Sequence, residues 1–198
     1  MKTVKTLFVA LVAVFALTAV SATAASAHTW MQKGVALKAA VKFESTQELR
    51  FSETALEIEC AVSEEGTVGP GAAGEIKSVK ATECHSFQGC EASHGIEIGP
   101  ESGLPWKTEL VTLYEGLRNR ITTTNAKWKI HCQVAGSNWT NYCEVTPNMA
   151  IVNAKTSAEE VYDGKAPHGN CVYGPGGNFN TKGGGLLLNR TGEPFQAE

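Results

Sequence analysis

Two segments of the chain alternate apolar and polar residues with the two-residue period of a half-buried β-strand. In residues 55–62, Glu57 and Glu59 occupy one side and apolar side chains the other, and residues 127–134 repeat the pattern around Trp128. Successive side chains of a strand point to opposite faces, so both segments are predicted strands with one face in a core. The predicted inward residues are Leu56, Ile58, Cys60, Val62, Trp128, Ile130, Cys132 and Val134.

Turn-forming residues divide the rest of the chain into short β-like segments. Glycine-rich stretches at 64–75 and 173–185 predict loops, and four strands within 109–145 predict a meander. Residues 150–160 are the best candidate for a helix, although their pattern is poor. The sequence therefore predicts an all-β fold, an antiparallel β-sandwich-like domain stabilised by disulfides.

The N-terminus has the three-part pattern of a cleavable secretory signal peptide. Lys2 and Lys5 precede an uncharged apolar run at 7–20, and the small residues that follow end in Ala25-Ser26-Ala27. The run is shorter than the roughly 20 residues that a membrane-spanning helix needs. We therefore predict cleavage after Ala27 and a secreted or extracellular protein.

The predicted division is a signal peptide at 1–27 and a single secreted β domain at 28–198. Residues 28–54 form either a small N-terminal β-ribbon or the first strands of that domain. The leader contains two lysines and no acid, so the remainder carries 15 basic and 20 acidic residues, without a basic cluster. This balance argues against a nucleic-acid partner. No second apolar run follows, so we expect no transmembrane segment in the mature protein, and a cell-envelope or extracellular ligand is the expected partner.

Cysteines and histidines are concentrated in residues 82–95, where Cys84, His85, Cys90 and His94 could be zinc ligands or neighbours of disulfides. Zinc fingers use shorter cysteine spacings than the five residues that separate Cys84 from Cys90. Exported proteins also tend to oxidise their thiols. Disulfides are therefore the preferred interpretation.

Six cysteines allow many connectivities, and the spacing only ranks them. The preferred set is Cys84–Cys90, Cys132–Cys143 and Cys60–Cys171. The alternative pairs Cys60 with Cys84 and Cys90 with Cys171.

Motifs of enzymatic chemistry are missing from the sequence. It contains no G-x-S-x-G, no H-E-x-x-H and no phosphate-binding G-K-[ST]. Glu57 and Glu59 lie on one strand face, which is better explained by solvent exposure than by acid–base catalysis. We therefore predict no enzyme, no catalytic residue, no cofactor and no metal. The tryptophans (30, 106, 128 and 139) are expected in the core, and a carbohydrate-binding module is an alternative if two or more of them are exposed on one surface.

His28 supplies a second alternative, because cleavage after Ala27 would make it the N-terminal residue. An N-terminal histidine can bind copper through its α-amine and its ring, with a second histidine completing the site. This feature resembles secreted lytic polysaccharide monooxygenases and some periplasmic copper-binding β-proteins. The resemblance implies a copper-binding protein or oxygenase, but none of the other histidines (85, 94, 131 and 168) is singled out as its partner.

A wider set of motifs comprises "AHTWMQKGVAL", "GTVGPGAAGEIKSV", "GLPWKTEL" and "WKIHCQV". Together they resemble a group of secreted bacterial β-proteins. The resemblance implies export and a β fold, and it brings no activity or catalytic residue. The expected function is therefore a non-enzymatic binding or envelope-associated role.

Overall fold

The computed structural model describes residues 28–53, 55–113, 116–124, 126–145, 148–163, 169–170 and 178–198. Apart from a short 3-10 helix at Ala92–His94, its regular elements are strands. They are β1 (Trp30–Gln32), β2 (Val35–Ala36), β3 (Val41–Glu53), β4 (Leu56–Val68), β5 (Ala73–Gln88), β6 (Glu97–Ser102), β7 (Trp106–Leu113), β8 (Gly116–Ile121), β9 (Lys127–Val134), β10 (Ser137–Glu144), β11 (Asn148–Val152), β12 (Glu159–Asp163), β13 (Gly169–Asn170), β14 (Asn178–Leu186), β15 (Leu188–Asn189) and β16 (Gln196–Ala197).

The largest sheet closes on itself through β14. Its strands follow the order β3, β4, β5, β7, β8, β11, β12 and β14, every neighbouring pair is antiparallel, and β14 also pairs with β3. Residues 182–186 of β14 pair with β12, and residues 180–184 pair with β3. The middle of β14 is therefore hydrogen-bonded on both sides, and the eight strands surround a common interior.

Two small sheets accompany this closed sheet. One contains β6, β9 and β10, and the other joins β1 and β2 to the C-terminal β16. Trp128 of β9 lies edge-on to Phe51 of β3 and to Trp106 of β7, with ring centroids 5.3 and 5.6 Å away, respectively. These are favourable aromatic geometries, and all three side chains are buried. The sheet of β6, β9 and β10 is thus packed onto the closed sheet through an aromatic cluster.

The predicted fold class is confirmed, because the described part of the chain consists almost entirely of antiparallel strands and contains two disulfides. The predicted faces are also correct in both alternating segments. Glu57 and Glu59 lie on the more exposed face of β4, and His131 is partly exposed on β9. The inward residues of β4 and β9 are buried, except for the partly buried Val134.

The two glycine-rich stretches are more ordered than predicted. Residues 64–68 continue β4, residues 73–75 begin β5, and residues 178–185 belong to β14. Residues 173–177 lie outside the described residues. These glycines lie within strands and do not end them. At several of them a neighbouring strand approaches so closely that a residue with a side chain would not fit.

Residues 150–160, the poor helix candidate, are not helical, since this segment supplies parts of β11 and β12 and the turn between them. Ile151 and Val152 are β-branched residues that favour strands, and Asn153 has a positive φ of 51° that reverses the chain. The predicted meander is also wrong. β8 pairs with β11 and β9 pairs with β6, so the two hairpins of this region belong to different sheets.

The first disulfide joins Cys60 of β4 to Cys84 of the neighbouring β5, with a Cα–Cα distance of 4.1 Å. The predicted bridges Cys84–Cys90 and Cys60–Cys171 are therefore wrong, and the alternative was right for Cys60–Cys84. The reason is that β5 runs alongside β4 as far as Gln88, which the spacing of the cysteines does not reveal. The register of the two strands brings residues 82–85 next to Cys60.

The second disulfide joins Cys90, just after β5, to Cys132 of β9. The predicted Cys132–Cys143 bridge and the alternative Cys90–Cys171 bridge are both wrong. The β9–β10 hairpin turns within the two residues between its strands, so Cys132 faces Trp139. Cys143 lies four residues further along β10, about 13 Å from the position opposite Cys132. The chain-entropy model assigns about 3–4 kcal/mol to each observed bridge.

The predicted signal peptide at 1–27 lies outside the described residues. Within the part of the chain that the structure describes, no helix has the length and apolar character needed to cross a membrane.

Replacing Trp128 with alanine should lower the free energy of unfolding by about 3–5 kcal/mol, because a fully buried aromatic side chain would leave a cavity between Phe51 and Trp106. Lys129→Ala is the matched control. Its side chain is exposed on the same strand, so we expect a change within about 0.5 kcal/mol. Urea unfolding would measure both, and equal losses would contradict the assigned faces.

We predict a third disulfide between Cys143 and Cys171. Cys143 is disulfide-bonded, and four other cysteines form the two bridges described above. The sixth cysteine is Cys171, which lies outside the described residues. Peptide mapping under non-reducing conditions should recover the two cysteines in one linked fragment. Alkylation of either thiol in the unfolded, unreduced protein would contradict this pairing.

Candidate functional site

An open groove lies on the outer face of the closed sheet, where β14 separates from β3 and β15 pairs with β3 instead. Its volume is about 770 Å³, within the range of small-molecule sites. The side chains that define this outer groove are Glu44, Thr46, Glu159, Leu186, Leu188 and Arg190. Leu186 is 42% exposed and contributes apolar surface to the groove.

The outer groove combines apolar surface with charges that lack a partner. Glu44, Glu159 and Arg190 form no ion pair with any described residue. Glu44 and Glu159 are outward neighbours of Leu188 and Leu186 through the strand register. The groove therefore offers two carboxylates and one guanidinium beside two leucines, which suits a ligand with both charged and apolar parts.

The loop that carries Arg190 is held in place by its neighbours. Asn189 Oδ1 accepts hydrogen bonds from Thr191 N, Thr191 Oγ1 and Glu193 N at 2.8–2.9 Å, and Asn189 Nδ2 donates to Glu193 Oε2 at 3.2 Å. Glu193 also pairs with Lys33 at 2.6 Å, and the hydrogen bond from Lys33 lowers the pKa of Glu193. This network fixes one wall of the groove before a ligand arrives.

A second polar site lies inside the closed sheet. Glu64 of β4 and Glu160 of β12 are both completely buried. Tyr162 donates a hydrogen bond from its hydroxyl to Glu64 Oε1 at 3.0 Å, and Asn119 Nδ2 donates to Glu160 Oε1 at 2.9 Å. The other carboxyl oxygen of each glutamate, Oε2, has no hydrogen-bond partner within the described part of the chain.

Two further polar side chains face this interior from β3. Ser45 is directly opposite Glu64 in the register, and Gln47 lies two residues along the same face. Both are at least 96% buried, and neither the hydroxyl of Ser45 nor either amide atom of Gln47 has a partner in the described chain. We refer to Ser45, Gln47, Glu64, Asn119 and Glu160 as the interior polar cluster.

Gly185 of β14 brings the two sides of the interior polar cluster together. It is opposite Glu160 in the register, and a Cβ at Gly185 would lie only 2.9 Å from Ser45 Oγ and 3.0 Å from Gln47 Cβ. Such contacts are too close for a real side chain. The glycine therefore lets β3 side chains occupy the space next to Glu160.

Burial changes the acidity of the carboxyl groups in this cluster. Loss of solvation raises the pKa of Glu64 to about 7, against the smaller lowering effect of the Tyr162 hydrogen bond. Burial also raises the pKa of Glu160 to about 8, and the nearby charge of Glu64 adds to the effect. The pKa of Tyr162 is raised well above its usual value, mainly by burial. The two glutamates thus interact electrostatically in a medium that disfavours their charged forms.

The structure places His28, the alternative copper ligand, between Glu198 and Thr112 of β7. Its Nδ1 lies 3.0 Å from the carbonyl oxygen of Glu198, and its Nε2 lies 2.8 Å from Thr112 Oγ1. Because a carbonyl only accepts, Nδ1 is the donor and Nε2 accepts from the threonine hydroxyl. Both ring nitrogens are thus engaged, and neither is hydrogen-bonded to another described histidine.

The other sequence candidates are dispersed. Cys84 and Cys90 belong to different disulfides, and His94 interacts with Glu91 and Ser93, so the zinc alternative for residues 82–95 is not formed. In the described ranges, no three His, Cys, Asp or Glu side chains are grouped as a metal site. Trp30, Trp106 and Trp128 are fully buried and Trp139 is partly buried, as the core interpretation predicted, so the tryptophans do not form a sugar-stacking surface.

Sequence reasoning missed both the outer groove and the interior polar cluster. For the interior, the apolar–polar alternation of residues 55–62 gave no signal beyond Val62, because Ser63, Glu64 and Glu65 are all polar. Extending the predicted strand by two residues would have placed Glu64 on the inward face. The groove had no periodic signal either, since its residues come from β3, β12, β14, β15 and the turn that follows β15.

Comparison with known proteins found no matching family model, no matching curated protein and no matching solved structure. The functional inference therefore depends on the geometry of these two sites.

Because Glu64 and Glu160 are buried, we predict that the free energy of unfolding falls as pH rises from about 4.5 to about 8. In this window the unfolded chain has released the protons of Glu64 and Glu160, whereas the folded chain retains them, so rising pH favours unfolding. We expect a loss on the order of a few kcal/mol across the window. Urea unfolding in chelator-treated buffer would measure it.

Glu160→Gln should flatten this pH dependence, because glutamine resembles the protonated glutamate and does not titrate. Glu59→Gln, on the outer face of β4, is the control and should leave the slope unchanged. The same slope in wild type and in Glu160→Gln would contradict the assignment.

Proposed function

We propose that this protein is an exported, non-enzymatic binding protein whose outer groove receives a ligand that carries an ammonium and a carboxylate group, such as a short peptide with free termini. The observation that supports this proposal most directly is that three charged side chains around an open, partly apolar groove form no ion pair with any described residue. Unpaired charges beside apolar surface offer both orientation and affinity to such a ligand.

Charge complementarity assigns a role to each side of the groove. Arg190 can form a bidentate pair with a carboxylate, which is the geometry that guanidinium groups favour. Glu44 and Glu159 can accept hydrogen bonds from ammonium groups, and Leu186 and Leu188 can contact an aliphatic side chain.

Export is supported by two separate features. The leader-like sequence at 1–27 matches a secretory signal, and the disulfides Cys60–Cys84 and Cys90–Cys132 suit an oxidising compartment. A copper protein is a weaker proposal, because both ring nitrogens of His28 are already hydrogen-bonded. A carbohydrate-binding module is also weaker, because its tryptophan surface is not formed.

Binding of the dipeptide Leu-Lys, tested by saturation-transfer NMR and calorimetry, would examine this proposal. We expect binding by the wild type, and Arg190→Ala should raise the dissociation constant about tenfold, because the charge-assisted pair with the peptide carboxylate would be lost from a solvent-exposed position. Amidation of the peptide carboxylate should weaken wild-type binding by a similar factor and should have no further effect on Arg190→Ala. If amidation and the Arg190→Ala substitution weaken binding in this non-additive way, Arg190 is the partner of the peptide carboxylate.

Arg120→Ala is the control, because Arg120 pairs with Glu109 outside the groove. It should bind the dipeptide as the wild type does. Absence of dipeptide binding, or an equal loss in Arg120→Ala and Arg190→Ala, would refute the groove as the ligand site.

A further inference from the structure

We propose that the interior polar cluster is a calcium-binding site, separate from the outer groove and independent of its ligand. The cluster joins two buried carboxylates to three buried neutral side chains, and the five residues come from β3, β4, β8 and β12. The site is enclosed by the closed sheet, so the ion would be a structural component of the folded protein.

The donor atoms of the cluster are the kind that calcium prefers. Oxygens without a hydrogen-bond partner in the described chain include Oε2 of Glu64, Oε2 of Glu160, Oδ1 of Asn119, Oε1 of Gln47 and the hydroxyl of Ser45. Hard cations such as calcium bind carboxylate, amide and hydroxyl oxygens, whereas zinc and copper prefer nitrogen and sulfur ligands. Magnesium is a poorer match, since it needs near-ideal octahedral geometry and retains its own waters.

The strand register brings these oxygens to one level of the interior. Glu160 is opposite Gly185, Gly185 lies against Ser45, and Ser45 is opposite Glu64. Asn119 reaches the same place from the other direction through its hydrogen bond to Glu160. The side chains thus form a continuous group around the interior instead of a row along one strand.

Hydrogen bonds orient the two carboxyl groups. Tyr162 holds Oε1 of Glu64, and Asn119 holds Oε1 of Glu160, so the second oxygen of each remains available. Metal-ligating carboxylates commonly have such outer partners, which fix their orientation. Two carboxylates would also balance the two charges of calcium, whereas a monovalent ion would leave one negative charge uncompensated in the interior.

Gln47 gives independent support for a ligand in the cluster. It is 4% exposed, it faces the interior, and neither its amide nitrogen nor its amide oxygen has a partner in the described chain. A buried amide left in this way is costly, and nearly all buried polar groups in proteins find a partner. A cation bound by Oε1 would satisfy one of the two atoms, and a water molecule bound to that cation could accept from the other.

Calcium titration of the purified, chelator-treated protein would test the proposal. We expect calcium to raise the midpoint of thermal unfolding with a dissociation constant at or below about 1 mM, the weak end of extracellular calcium sites. Magnesium should have a smaller effect at the same concentration. Terbium, which replaces calcium, should show luminescence sensitised by the adjacent Tyr162 when the protein is excited at aromatic wavelengths.

The decisive variants are Glu64→Gln and Glu160→Gln, compared with Glu159→Gln. Each of the first two removes one charged ligand while keeping the side-chain shape, and each should weaken calcium binding at least tenfold and abolish the terbium signal. Glu159 is the neighbour of Glu160 on the opposite face of β12 and lines the outer groove. Glu159→Gln should therefore bind calcium as the wild type does, and circular dichroism would verify that all three variants are folded.

Two results would overturn the proposal. One is the absence of any calcium effect on the wild-type unfolding midpoint or of a terbium signal. The other is loss of calcium binding in Glu159→Gln with retention in Glu160→Gln, which would assign the ion to the outer groove. Neither result depends on whether a dipeptide binds in the groove, so this proposal and the proposed function can fail separately.

Discussion

The backbone pairing of β14 with both β12 and β3 is the interaction on which the rest of the structure depends. It closes the eight-stranded sheet and removes the exposed edges that an open sheet would present. Its cost is steric, since the strands approach so closely at Gly183–Gly185 that a side chain at any of these glycines would collide with β3 or β12. The glycines are therefore the condition for closure, and closure in turn separates the interior polar cluster from solvent.

The closed sheet produces two very different polar environments from one set of strands. On β12, Glu159 faces the outer groove, whereas Glu160 faces the interior and is completely buried. The two residues have the same chemistry and adjacent positions, and only the side of the sheet distinguishes them. Glu159 is in contact with solvent and can interact with an external ligand. Glu160 is desolvated and can interact only with groups enclosed in the interior of the closed sheet.

The part of the fold that the sequence predicted is the part that local alternation controls. The period of two residues around Cys60 and Trp128 correctly assigned which side chains are buried, because burial on one face selects apolar residues at every second position. Strand partners, disulfide connectivity and the two sites depend on contacts between distant segments, for which alternation carries no information. The glycines of β14 led to the prediction of a loop, because a glycine-rich composition is typical of loops. In the structure these glycines permit close packing of strands, which is also a contact between distant segments. The interior cluster was hidden because polar residues at inward positions look like the end of a strand.

The order of the disulfides has a consequence for how the chain matures. Cys60–Cys84 and Cys90–Cys132 each join cysteines that follow one another along the sequence, so the two loops are neither nested nor interlocked. A chain that crosses a membrane with its N-terminus first would present Cys84 as the earliest partner for Cys60, and Cys132 as the earliest partner for Cys90 once the first pair is closed. An oxidase that joins thiols in order of emergence would then form both native bridges directly. For a chain that crossed a membrane in this way, neither of these two bridges would require a non-native disulfide to be broken by thiol exchange.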